Sequence, residues 1–100
     1  MPARTPLPDD AIDAALPSGW RRHSGEATSR IERSFSFDGF RAAFAFLTRV
    51  AFEAEGMDNH PEITNVYDRV TLALSTHDAG DRVTETDLVL ARRINALFGG

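Results

Sequence analysis

The run from Asp38-Gly39 to about Glu55 constrains the fold more than any other stretch of the chain. Phe40, Ala43, Phe44, Leu47, Val50, Ala51 and Ala54 recur at spacings of three and four, while Arg41, Thr48, Arg49 and Glu55 fall largely elsewhere. That is the pattern of an amphipathic helix, and an apolar stripe of this length needs a second layer of structure to cover it. Phe46 and Phe52 lie outside the tightest version of the stripe. They either widen the buried face or supply apolar surface for a partner subunit.

The flanking sequence supplies the second layer. Asp9 to Leu16 reads as a short first helix, opened by early acids after Pro6 and Pro8 and closed by Pro17-Ser18-Gly19. Trp20 to Ser24 and Ser29 to Phe37 read as strands around Gly25. In the second, Ile31, Phe35 and Phe37 share one face, interrupted by Arg33. Such a guanidinium snorkels or pairs with a carboxylate, which places this strand near a sheet edge. After Pro61, Ile63 to Tyr67 and Val70 to Thr76 form a hairpin joined at Asp68-Arg69. Val70, Leu72 and Leu74 alternate with Thr71, Ala73 and Ser75, so continued extension would aim His77 to the Ser75 side, accessible and away from the apolar face. Asp78-Ala79-Gly80-Asp81 is a turn. Thr84, with Asp87 three residues on, resembles a capping box opening a last helix that carries Leu88, Ala91, Ile94, Asn95 and Leu97-Phe98 near one face. The order predicts one α+β domain over residues 1–100, helix, two strands, helix, two strands, helix: a four-stranded antiparallel sheet with three helices packed on one face.

Composition narrows the function. The chain has no cysteine, which removes disulfides, thiol catalysis and thiolate metal sites. All 11 basic residues are scattered arginines, outnumbered by 15 acids, so no stripe suited to nucleic acid is present. No apolar run approaches the ~20 residues that span a bilayer, and the first residues lack a signal peptide's apolar stretch; a cytoplasmic, non-membrane protein is expected. A chain of 100 residues supports only a modest core, which is compatible with burial through self-association.

Chemistry concentrates between Glu55 and Gly80. Two of the three histidines are here: His60 with Glu55 and Asp58 before it, and His77 with Ser75, Thr76 and Asp78 around it. Imidazole titrates near neutrality, so one ring can accept a proton while another, or a hydroxyl or water held by it, helps a leaving group depart. Two such groups facing one ligand suffice for a dehydration. Pro61 restricts His60 to extended backbone. Asp58 and Glu55 orient an imidazole or bind polar ring nitrogens of a substrate; spacing does not choose between these. Glu55 near a helix C-terminus opposes the macrodipole, which hints at another use. His23, beside Arg21 and Arg22, reads as a surface residue. A metal site from His60, His77 and Asp58 is not expected, because no HxxxH or HExxH spacing sets two imidazoles on one helical face.

At these residues the chain resembles the pterin-4a-carbinolamine dehydratases, also called 4a-hydroxytetrahydrobiopterin dehydratases. The similarity stands on Glu55, Asn59-His60-Pro61-Glu62-Ile63, Asn65-Val66-Tyr67-Asp68-Arg69-Val70, Leu74-Ser75-Thr76-His77-Asp78-Ala79-Gly80 and Thr84-Glu85-Thr86-Asp87. It extends to Gly19-Trp20, Phe37-Asp38-Gly39-Phe40 and Phe46 to Ala51, nearly the whole chain. The resemblance implies loss of water from a 4a-hydroxylated tetrahydropterin, giving a quinonoid dihydropterin in tetrahydrobiopterin recycling, with no metal or bound cofactor. It implies proton transfer by His60 and His77 supported by Glu55, a pterin pocket lined by Asp58, Asn59, His60, Ser75, Thr76, His77 and Asp78, and assembly as a homodimer or homotetramer. Two letters depart from the family pattern: Asn59 replaces the first histidine of a His-His pair, and Ile63 replaces a common tryptophan. An amide does not exchange protons near neutral pH, though it donates and accepts hydrogen bonds. Asn59 therefore sets a second expectation beside the first, a dehydratase-like interaction or assembly protein with weak or no activity.

Overall fold

The computed structural model describes residues 2–99. In chain order the elements are α1 (Asp9–Ala15), β1 (Arg21–Ser24), β2 (Ser29–Ser36), α2 (Phe40–Gly56), β3 (Glu62–Val66), β4 (Arg69–Leu74), a 3-10 turn (His77–Ala79) and α3 (Glu85–Phe98). The strands pair antiparallel in the order β1-β2-β4-β3. This is the expected α+β arrangement of three helices and one four-stranded sheet. No helix among the described residues is long and apolar enough to cross a membrane.

Period-two alternation decides which face the helices cover. Ile31 and Phe35 of β2 and Val70, Leu72 and Leu74 of β4 are buried against Phe46, Val50, Leu90 and Ile94 of α2 and α3. Each such side chain contributes about 1.5–3 kcal/mol on leaving water. Arg30, Glu32, Thr71 and Ser75 alternate with these and point to the open face. On the covered side, Arg22 lies beside α1, where it donates to both Asp13 carboxylate oxygens at 2.7 and 3.0 Å. That hydrogen bonding holds the Asp13 carboxyl below its ordinary value.

β2 is an inner strand rather than an edge, yet Arg33 is accommodated. β1 runs out at Arg21, opposite Glu32, so from Arg33 onward β2 is laddered only to β4. The Arg33 guanidinium donates to Ser18 O at 3.1 Å and Asn95 Oδ1 at 2.6 Å, and lies 4.5 Å from the centroid of the Phe35 ring. Gly19 makes this possible: its φ is +84°, and a Cβ there would sit 2.6 Å from Arg33 Nε.

The buried seam of α2 is rotated from the expected stripe. Ala43, Phe46, Leu47, Val50 and Ala54 are buried, whereas Phe40, Phe44 and Phe52 are 49%, 54% and 75% exposed. Two apolar stripes overlap on this helix, and the aromatic environment selects between them. Phe46 enters the core because the rings of Phe35 and Phe37 receive it at 5.0 and 5.1 Å.

The β3–β4 connection also shifts by one residue. The turn is Tyr67-Asp68, with Arg69 already in β4 opposite Val66, and Tyr67 takes a left-handed φ of 51°. Asn65 Nδ2 spans the turn to Arg69 O at 3.0 Å, so the Asn-Val-Tyr stretch serves the hairpin itself. At its other end β4 stops at Leu74, short of the expected Thr76. Thr76 O accepts from the N–H groups of Ala79 and Asp81, which winds the chain into the 3-10 turn.

Candidate active site

His60 leaves the loop after α2, and His77 begins the 3-10 turn after β4. Both side chains are open to solvent, 60% and 93% exposed, so both can receive a ligand. His77 is thus accessible, as expected, although by a turn and not by strand parity. Each imidazole has a carboxylate partner. His60 Nε2 lies 2.7 Å from Glu55 Oε1, and His77 Nδ1 lies 3.1 Å from Asp81 Oδ1. An ionised carboxylate only accepts hydrogen bonds, so the facing ring nitrogen carries the proton. In the neutral rings this leaves His60 Nδ1 and His77 Nε2 as the nitrogens with a lone pair. Glu55 sits in the last turn of α2, where the macrodipole disfavours it; the bond to His60 gives that position its use.

The two segments converge on Asp87, the third residue of α3, which is fully buried. Asn59 Nδ2 donates to its Oδ1 at 2.8 Å. Thr76 Oγ1 donates to its Oδ2 at 2.9 Å, and Thr84 N–H donates to the same oxygen at 2.9 Å. One carboxylate therefore holds the residue before His60, the residue before His77 and the helix cap. Burial pushes the Asp87 carboxyl above its ordinary value, opposed by the bonds from Asn59, Thr84 and Thr76 and by the charge of Arg4.

Arg4 adds a second tie from the N-terminal arm. Its Nη2 donates to the carbonyls of Met57 and Asp58, both at 2.8 Å, and Nη1 stands 3.8 Å from Asp78 Oδ2. A cation on the carbonyls just past the end of α2 also suits the negative end of that helix.

The structure thus brings together the neighbourhoods of all eight residues expected at the site but gives them different surroundings. Glu55, His60, His77 and Asp78 present exposed side chains, and Ser75 is half-buried on the open face. Asp58 is exposed in a left-handed conformation, φ 49°. Asn59 and Thr76 are buried, with side chains committed to Asp87. Asp81, Asp87 and Arg4 were not singled out from the sequence as site residues. The capping-box spacing identifies only the Asp87 oxygen that receives Thr84; nothing in it points the other at Asn59.

Comparison with known proteins follows the same outline. The family model described as pterin 4 alpha carbinolamine dehydratase matches residues 5–97. A protein of Mesorhizobium japonicum, provisionally named a pterin-4-alpha-carbinolamine dehydratase, is 50% identical over 99 residues, covering 97% of this chain and 98% of its own. The crystal structure of a transcriptional coactivator/pterin dehydratase from Brucella melitensis superposes with a TM-score of 0.85 at 39% identity, covering 95% of this chain and 100% of that one. A pterin dehydratase-like protein identified as a RuBisCO assembly factor in the alpha-carboxysome superposes with a TM-score of 0.68 at 25% identity, covering 82% of this chain and 92% of that one. The chain belongs to the pterin 4 alpha carbinolamine dehydratase family.

Proposed function

We propose that this chain is a hydro-lyase that converts a 4a-hydroxytetrahydropterin to the quinonoid dihydropterin, as one domain over residues 1–100 and without a metal or bound cofactor. The reaction removes hydroxide from C4a and a proton from N5, forms the C4a–N5 double bond and releases water. A lone-pair nitrogen facing N5 takes the proton, and an imidazolium or a water held by the second ring protonates the departing hydroxyl. His60 and His77 fill these roles. Glu55 and Asp81 fix their tautomers, and the stretches Asp58 to His60 and Ser75 to Asp78 line the ring. The supporting observation is the Asp87 carboxylate, which binds the neighbour of each histidine and so sets the two accessible imidazoles from one rigid point. Tetrahydrobiopterin recycling in the cytoplasm is the setting this chemistry serves. A homodimer or homotetramer is the form in which the exposed α2 phenylalanines would be covered.

A second function is favoured by one specific feature. Asn59 occupies the position of a family histidine, and its amide is buried on Asp87, so no proton-transfer group stands there. With the RuBisCO assembly factor as a relative, this supports an interaction or assembly protein with little catalysis. The rate of dehydration of chemically generated 4a-hydroxytetrahydropterin separates the two. The hydro-lyase accelerates it above the buffer rate, and His77→Ala or His60→Ala lowers kcat/KM by about 10²- to 10⁴-fold. A wild-type rate equal to buffer, insensitive to His77→Ala, leaves only the assembly role.

A further inference from the structure

The segment ahead of α1 is strapped to the start of α3. Ala3 O accepts from the Thr86 N–H at 3.2 Å and from Thr86 Oγ1 at 3.0 Å, and the Leu7 N–H donates to Val83 O at 2.9 Å. Leu7 also packs against the core. These anchors fix the backbone on either side of Arg4, whose side chain is half-buried. From there the guanidinium reaches the turn that follows α2. A terminal guanidinium nitrogen carries two protons, enough for both carbonyls that Nη2 meets at 2.8 Å, Met57 O and Asp58 O. Nη1, the other arm of the fork, stands 3.8 Å from Asp78 Oδ2, a charge attraction rather than a hydrogen bond.

One side chain thus touches both histidine segments, because Asp58 is two residues before His60 and Asp78 is the residue after His77. Asp58 has a φ of 49°, a left-handed conformation that few non-glycine residues adopt. The turn it makes sends Asn59 into the protein and His60 out to Glu55. Asp87 ties Asn59 to Thr76 from the buried side, and Arg4 ties Asp58 to Asp78 from the solvent side. A loop held at one residue can pivot about it; a loop held at two successive residues, from opposite sides, cannot. The two-carbonyl contact needs a planar fork, which the point charge of an ammonium does not reproduce. We infer that Arg4 is a positioning residue for the dehydration: from the N-terminal strap its guanidinium fastens the His60 loop to the His77 turn and so fixes how the two imidazoles stand to one another. This assignment rests on the hydro-lyase function proposed above. Arg4 bonds to the neighbours of the imidazoles and not to the rings, so its loss leaves each histidine its carboxylate partner and changes their relative placement.

The test measures kcat per folded molecule for dehydration of 4a-hydroxytetrahydropterin in the wild type, Arg4→Ala and Arg4→Lys, with folding checked by circular dichroism. Arg4→Ala is expected to lower kcat by about ten- to hundred-fold, the scale of a small misplacement of reacting groups. Millimolar guanidinium, but not ammonium, is expected to restore part of that loss by refilling the space between the two segments. Arg4→Lys keeps the charge without the fork and should remain slow; it carries the comparison if Arg4→Ala does not fold. A role confined to stability would lower the midpoint of urea unfolding and leave kcat of the folded molecules at the wild-type value. That result overturns the positioning role and leaves the hydro-lyase intact. Wild-type kcat in Arg4→Lys, or an Arg4→Ala rate that guanidinium does not raise, overturns it as well. A wild type no faster than buffer overturns both.

Discussion

Asp87 binds three neighbours with one buried carboxylate, and substitution there should be felt at each. Asp87→Asn replaces an acceptor oxygen with N–H groups, which then face a donor from Asn59 or from Thr84. A buried donor left without an acceptor costs about 1–3 kcal/mol, so urea unfolding should show a loss of about 2–4 kcal/mol across the network. The pH dependence carries its own sign. The folded-state pKa is raised above the ordinary 3.8, so between those two values the folded protein holds the proton more tightly than the unfolded chain. Stability attached to this group is complete below the ordinary value and falls as pH rises through the raised one. Wild type should lose stability across that window relative to Asp87→Asn; the reverse slope would show that hydrogen bonding, and not desolvation, dominates. From the sequence Asp87 was legible as a helix cap and no more. Its bond to Asn59 spans 28 residues, and the bonds from Arg4 to Met57 and Asp58 span 53 and 54; no local spacing encodes such contacts.

Among the elements, α2 shows how far periodicity reaches. Its existence and length follow from three- and four-residue spacings, but two overlapping stripes share Ala43, Leu47, Val50 and Ala54. The rings of Phe35 and Phe37, on another element, decide that Phe46 and not Phe44 is buried. Phe46→Ala should therefore destabilise the fold by about 3–5 kcal/mol in denaturant unfolding, as expected for an emptied core position. A loss below about 0.5 kcal/mol, typical of surface sites, would return the seam to the expected stripe. The hairpin and the last helix were legible because alternation and capping are local patterns. The 3-10 turn at His77 was not, because it depends on Thr76 O taking two backbone donors that compete with further extension of β4. Solvent access of His77 was nevertheless foreseen, since both conformations leave the apolar face.

At the scale of the whole molecule, the alternation of strands shows two hairpins but not how they join. Pairing of β2 with β4 joins them, puts the short β1 and the exposed β3 at the edges, and lines up Arg30 with Ser75. Phe44 and Phe52 remain outside the core, and a small protein seldom leaves such a surface uncovered. Light scattering should give two or four times the 11.0 kDa chain mass, and Phe44→Ser with Phe52→Ser should lower it. A wild-type mass of one chain would remove assembly from the proposal. The central claim is that the fold sets two carboxylate-held histidines against one pterin, so that they act on a single transition state. Its most direct measurement is the coupling between His60→Ala and His77→Ala in kcat/KM for dehydration of 4a-hydroxytetrahydropterin. Groups that act as a unit give a double variant little slower than the worse single variant. Losses that simply multiply, or single variants that match a wild type no faster than buffer, would contradict it.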